Sequence, residues 1–319
     1  MAHMTCTLCG REAGVKLCSR CGDVAYCGKE CQILDWSFHK LTCSAKVVVG
    51  DTEDRGKGLF AKLDFKVGDE MIREAPCFVI ASGISDYDRH DAFQNVSIAK
   101  KRLVMSLTDV FSAGAGLMGI VNTNSISMGA DMLGVSSATG GIFPLMTRIN
   151  HACKPNARYV WREDLGKELL FAIRPISKGD EITVTYIARY ASRQKRQQEL
   201  KQRWRFDCAC VTCTELHTQL QDSCMCEIQE LHDKVPSAAM SNPLDAFNIC
   251  ELIIHLKNMT KLDSPIDLGH SHYDAYQLAV ACGKKKRAKV HIQRAYEYAK
   301  LHDGPDSPLV AKYAALLEL

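Results

Sequence analysis

Seven cysteines and one histidine fall between residues 6 and 43 in four pairs: Cys6-x2-Cys9, Cys18-x2-Cys21, Cys27-x3-Cys31 and His39-x3-Cys43. A segment this short cannot bury enough apolar surface to fold by itself. Cysteines and histidines in closely spaced pairs are how a chain presents zinc ligands. Eight ligands supply two tetrahedral sites, and binding the metal then provides the folding energy. The chain has 16 cysteines among 319 residues. Disulfides would require an oxidising compartment and normally a secretory signal. The start, Met1-Ala2-His3-Met4, carries no apolar segment and reads as a cloning remnant with Met4 as the native start. A cytoplasmic or nuclear protein is therefore expected.

Composition narrows the function classes. Lysine plus arginine is 40 and aspartate plus glutamate is 37, a net charge of +3. That balance argues against a chain built mainly to neutralise nucleic-acid phosphate. The cysteine-rich segment itself, residues 1–46, has six basic and four acidic residues, a weak electrostatic footprint. Direct nucleic-acid binding is not expected. No run of 18 apolar residues exists, so no membrane span is expected.

A second cysteine group, Cys208-x-Cys210-x2-Cys213, offers three ligands where zinc takes four. Cys224 and Cys226 lie eleven residues on, outside the usual pair spacing, and the fourth could come from elsewhere in the chain. The order of the first eight ligands, Cys-x2-Cys-x8-Cys-x2-Cys-x5-Cys-x3-Cys-x7-His-x3-Cys, resembles the MYND zinc finger. Downstream, Asn150-His151-Ala152-Cys153-Lys154-Pro155-Asn156 resembles the NHxCxPN signature of SET-domain methyltransferases. Arg55-Gly56-Lys57-Gly58 resembles their opening glycine motif. Gly179-Asp180-Glu181 through Tyr186 resembles the late motif, and Trp204-x-Phe206-x-Cys208-x-Cys210-x2-Cys213 the post-SET zinc segment. Together the chain resembles the SET and MYND domain (SMYD) group.

The resemblance implies interleaved ligation in the finger. Cys6, Cys9, Cys27 and Cys31 would take one zinc, and Cys18, Cys21, His39 and Cys43 the other. Cys153 would join Cys208, Cys210 and Cys213 around a third. It also implies S-adenosylmethionine as cofactor. Arg55, Gly56, Lys57 and Gly58 would lie against its methionine part, and Asn150 and Asn124 would meet its amino-acid end. His151 would meet the adenine mainly through backbone, and Phe206 would pack on it. Tyr186 would be the catalytic tyrosine beside the transferring methyl, with Tyr190 a further channel residue. The group usually has tyrosine where this chain has Trp204, so the degree of methylation is not implied. The group's finger is inserted into its SET domain. Here it comes first, so its placement over the cleft is not implied either.

The resemblance implies the organisation, and periodicity places the elements within it. The fold class expected is α+β. It comprises a MYND finger (1–46), a SET domain (47–190) with a helical insert at 86–120, a post-SET segment (191–226) and C-terminal helices (227–319). Those helices resemble the tetratricopeptide-like ones of the SMYD group, without a clear 34-residue repeat. Strands are expected at 59–61, 70–73, 77–81, 159–161 and 168–173, with a loop-rich stretch at 126–146. Leu244, Phe247, Leu252, Ile253 and Leu256 form the apolar stripe expected of one helix. The basic run from Arg189 to Arg205 reads as a solvated helix face.

The expected function is methyl transfer from S-adenosylmethionine to a protein lysine by a monomer, the finger serving a peptide partner such as a proline-rich segment. Two alternatives stay open: a non-catalytic scaffold, or a SET enzyme acting on a small molecule.

Overall fold

The computed structural model describes residues 4–22, 24–40, 43, 45–81, 83–111, 116–129, 139–187, 190–214, 218–260 and 265–318. Met1 to His3, Arg189, and 130–138 of the loop-rich stretch lie outside the described residues. The fold is mixed α+β.

The finger has a two-stranded antiparallel ribbon, β1 (Lys16–Leu17) and β2 (Ala25–Tyr26), followed by α1 (Lys29–His39). Its interior is mostly sulfur, with Cys6, Cys18 and Tyr26 buried together. The Tyr26 hydroxyl donates to Asp35 Oδ2 at 2.7 Å.

The central domain carries β3 (Val47–Asp51), β4 (Lys57–Ala61), β5 (Glu70–Glu74) and β6 (Phe78–Ala81). Three helices follow, α2 (Asp86–Gln94), α3 (Ile98–Val104) and α4 (Gly116–Asn124). Then come β7 (Ile126–Ser127), β8 (Thr139–Ile142), β9 (Asn150–His151), β10 (Ala157–Arg162), β11 (Lys167–Ala172) and β12 (Glu181–Val184). The strands form three small sheets with orders β3-β4-β12-β9, β10-β11-β5 and β6-β8-β7. β9 runs parallel to β12, while the other pairs are antiparallel. A core of Leu59, Phe65, Phe143, Met146, Leu170, Ile176 and Ile182 lies between the sheets.

The insert departs from the single helical stretch read from spacing. Ser85 and Asp88 form a capping box that starts α2, and Ser97 caps α3, so the chain is broken at Asn95 and again after Val104. Helix resumes in α4 and runs to Asn124, past the expected end.

α5 (Arg193–Trp204) and the one-turn α6 (Val211–Thr214) carry the second cysteine group. The rest is helical: α7 (Thr218–Ser241), α8 (Pro243–Thr260), α9 (Pro265–Ala281), α10 (Lys285–His302) and α11 (Pro308–Leu317). Each of these five packs on the next in sequence. α7 is continuous across 226–227, where the sequence suggested a boundary. The stripe on α8 is also corrected. Leu244 and Leu252 are exposed, at 44% and 41%, and Cys250, Ile253 and Ile254 are buried with Phe247. Buried Lys257 continues that face, its ammonium donating to Ser271 Oγ at 3.0 Å and to Asp267 O at 3.3 Å. A lysine on the inward face hides the stripe from a hydropathy pattern. None of the described helices is long and apolar enough to cross a membrane.

Candidate active site

The site begins with strand register. Pairing of β12 with β4 sets Ile182 opposite Leu59, and its parallel pairing with β9 sets Thr183 opposite Asn150 and Val184 opposite His151. Three distant segments thus converge at one sheet end. Glu181 ties them together. Its Oε2 accepts from Arg55 Nη2 at 2.5 Å and its Oε1 from Asn150 Nδ2 at 2.9 Å. The same Asn150 amide donates to Lys57 O at 3.1 Å.

The glycine motif shapes the β3–β4 hairpin. Gly56 adopts φ +69°, a left-handed turn between β3 and β4 that glycine takes without strain. At Gly58 a Cβ would lie 2.8 Å from Glu181 Oε1 and from Thr52 Cγ2, and 3.1 Å from Asn150 Nδ2. The space left by its missing side chain is therefore filled by protein. Arg55 and Lys57 line the cavity described below, and the two glycines do not.

His151 is buried, and burial pushes its pKa down to about 4. The neutral ring accepts the Tyr186 backbone N–H on Nδ1 at 3.0 Å, which assigns the proton to Nε2, 3.4 Å from Cys153 Sγ. Both ring nitrogens are engaged by protein, leaving the backbone of His151 to meet a ligand. The Tyr186 hydroxyl donates to Ile149 O at 2.6 Å. Burial first, then the Glu181 carboxylate, raise its pKa well above the usual phenol value. At neutral pH it is a fixed neutral dipole and not a base.

The opposite wall comes from helix ends. Arg205 caps α5 in the left-handed region (φ 61°, ψ 28°), reversing the chain so that Phe206 turns back toward His151, with ring centroids 6.2 Å apart. Trp204 donates its indole N–H to Thr123 O at 3.2 Å and lies 5.1 Å from the Tyr186 ring. Asn124 at the end of α4 donates to Thr108 O and Ile120 O, each at 2.6 Å. Between these walls is a cavity of about 440 Å³. Arg55, Lys57, Asn124, Asn150, His151, Tyr186 and Phe206 line it together with Trp204, Arg148, Arg205, Asp54 and Asp109. Tyr190 does not. It packs on His232 and under the Lys257 ammonium, on the C-terminal helices.

Three groups of four side chains bring their ligand atoms within 4.8 Å of one another. They are Cys6, Cys9, Cys27 and Cys31; Cys18, Cys21, His39 and Cys43; and Cys153, Cys208, Cys210 and Cys213. Four sulfurs, or three and an imidazole nitrogen, at such distances form a donor set that suits zinc. In the third group the Cys153 and Cys213 sulfurs lie 3.5 Å apart. That group packs directly on the cavity wall, with Tyr186, Trp204 and Phe206 against Cys153, Cys208 and Cys213. Gln197 clamps the segment, its amide donating to Cys208 O at 2.7 Å and accepting Cys208 N–H at 2.8 Å. Cys77, Cys224, Cys226, Cys250 and Cys282 belong to none of these groups.

Sequence reasoning missed three contributors. Glu181 sat inside the late motif but had no assigned role. Arg148 precedes the Asn150 motif with no motif of its own. Arg196, read as part of a solvated face, is only 1% exposed. It donates to Ala191 O at 2.5 Å and Asp222 Oδ1 at 3.2 Å, with Cys153 and Cys213 beside its charge. A long charged residue in a polar run gives no sign that its helix turns it inward.

Comparison with known proteins agrees with this layout. A family model of the MYND finger matches residues 6–43, and one of the SET domain matches residues 56–187. The histone-lysine N-methyltransferase set5 of Schizosaccharomyces pombe is 26% identical over 268 residues, covering 83% of this chain and 81% of the relative. Human N-lysine methyltransferase SMYD2 is 26% identical over 299 residues, covering 83% and 67%. The histone-lysine N-methyltransferase ASHR1 of Arabidopsis thaliana is 26% identical over 270 residues, covering 79% and 56%. Matches to a MYND finger and to a SET domain thus follow one another along this chain.

Proposed function

We propose that this SET- and MYND-domain protein transfers a methyl group from S-adenosylmethionine to the side-chain amine of a lysine in a protein, histone or non-histone. The observation that carries the reading is the single cavity onto which Arg55, Asn124, Asn150, His151, Tyr186 and Phe206 converge from segments far apart in sequence. S-adenosylmethionine, when bound, supplies an electrophilic methyl group on a sulfonium.

The protein's part is positioning and charge. Phe206 offers an aromatic face for the adenine. Asn150 and Asn124 have their amide N–H groups tied to protein acceptors, so each presents Oδ1 to the ligand's ammonium. Tyr186 spends its proton on Ile149 O, so its oxygen lone pairs are what it turns to the reacting methyl and amine. The lysine amine must be neutral to attack, and its ordinary pKa is about 10.4. Tyr186, Trp204 and Phe206 exclude water and favour the uncharged amine.

Three zinc ions, one in each group of ligands, stabilise the protein. The third fixes the segment that carries Phe206. The finger serves a protein contact, a proline-rich peptide being the class that suits it. Leu17, Ile33, Leu34 and Trp36 leave apolar surface exposed there. The protein acts as a monomer in the cytoplasm or nucleus.

The test is transfer of tritium-labelled methyl to histones and to whole-cell lysate, followed by hydrolysis to amino acids. Label should appear in methyllysine and require zinc-replete protein. Label absent from lysine in every acceptor pool would contradict the reading.

A further inference from the structure

We propose that Arg148 binds the carboxylate of the cofactor's amino-acid end. This rests on the cofactor reading above and adds the ion pair that selects the ligand. Four basic side chains line the cavity: Arg55, Lys57, Arg148 and Arg205. Arg55 is matched by Glu181 at 2.5 Å and Asp54 at 3.4 Å, and Lys57 by Asp51 at 2.5 Å. Arg205 is exposed at the rim, its guanidinium 5.5 Å from the centroid of the Phe111 ring.

Arg148 is different. It is half-buried, and among the described residues its guanidinium bonds a neutral group, Ser106 Oγ, at 2.7 Å. No carboxylate among the described residues forms an ion pair with it. Burial alone acts on its basicity, lowering it. A fixed cation partly out of water favours an anionic partner, and the planar guanidinium fork matches a carboxylate.

The backbone aims it. Ile149 is extended (φ −78°, ψ 125°) and points into the core at 1% exposure. Arg148 ends a short 3-10 turn (Met146–Arg148) and Asn150 begins β9, and both line the cavity on either side of inward-facing Ile149. The ammonium and carboxylate of one α-carbon would then be met by two residues of one segment, Asn150 and Arg148. A ligand carrying sulfonium and ammonium without a carboxylate would instead meet an unmatched positive charge.

The test is calorimetry of the zinc-replete full chain with S-adenosylmethionine and with its decarboxylated analogue. Wild type should bind S-adenosylmethionine at least about tenfold more tightly than the analogue, as a charge-assisted pair implies. Arg148→Gln should abolish that preference while leaving the analogue's affinity unchanged or raised. Arg148→Lys should retain part of it. Ser106→Ala, which removes the present partner but keeps the cation, should retain all of it. Equal weakening of both ligands by Arg148→Gln, or no preference in wild type, would overturn the proposal. A wild type that binds neither ligand contradicts the cofactor reading itself.

Discussion

Tyr186 keeps its proton because its surroundings are dry and Glu181 is near, and it donates that proton to a backbone carbonyl. Replacing it with phenylalanine removes the hydroxyl and leaves the ring packing intact. Tyr186→Phe should lower single-turnover transfer by about 10²-fold or more. Cofactor affinity should stay within about threefold, with stability reduced by about 1 kcal/mol. An unchanged rate would remove Tyr186 from the reaction. Glu74 offers a residue-scale test away from the site. Its buried carboxylate accepts the Leu145 and Met146 N–H groups at 3.0 Å, yet burial still pushes its pKa up to about 7 from 4.5. The folded state therefore binds a proton more tightly than the unfolded state. Stability falls as pH rises from about 4.5 through 7, and the cost is fully present above that window. At roughly 1.4 kcal/mol per unit, the cost is about 3 kcal/mol. Glu74→Gln keeps an acceptor and removes the titration, so in urea unfolding it should gain on wild type by about 2–3 kcal/mol between pH 5 and 8. A difference independent of pH would contradict this.

At the scale of elements, the third cysteine group and the β3–β4 hairpin are the supports of the cavity. Cys153→Ser should lower the zinc content from three ions per chain to two and weaken cofactor binding, because the segment carrying Phe206 loses its anchor. Three zincs by elemental analysis in that variant would contradict the ligand set. Gly58→Ala should cost about 1–3 kcal/mol, since its Cβ would press on Glu181, Thr52 and Asn150. A fully stable variant with unchanged cofactor affinity would show that this contact can relax. Elements whose signals are local were legible in the sequence. The β10–β11 hairpin follows from the strand pair around Asp164-Leu165-Gly166, and β4 from the run Leu59-Phe60-Ala61. The insert was read as continuous because apolar spacing outweighed the caps at Ser85 and Ser97. The face of α8 was misread because buried Lys257 interrupts it and two leucines point outward. Arg196 escaped for the same reason: charge signals exposure unless the tertiary partner, here Asp222, is known.

Over the whole molecule, the parts meet through a few polar contacts laid on apolar packing. The finger meets the insert through Arg102 and Asp35 at 3.0 Å, and the SET sheet through Lys62 and Cys21 O at 3.2 Å. The C-terminal helices meet the sheet through Arg162 and Asp306 at 3.4 Å, with Gly68 giving room to Leu301. Motif spacing pointed to which residues matter, because ligand pairs and glycine turns are short-range features. It could not show that Glu181 joins three segments or that Arg148 faces the cavity, because those facts exist only once β4, β9 and β12 are in register. The central claim is that this assembled cavity binds S-adenosylmethionine. Calorimetric titration of the zinc-replete chain tests it most directly. One saturable site per chain is expected, weakened at least about tenfold by Phe206→Ala in a variant that keeps its zinc. No binding by zinc-replete wild type would contradict it.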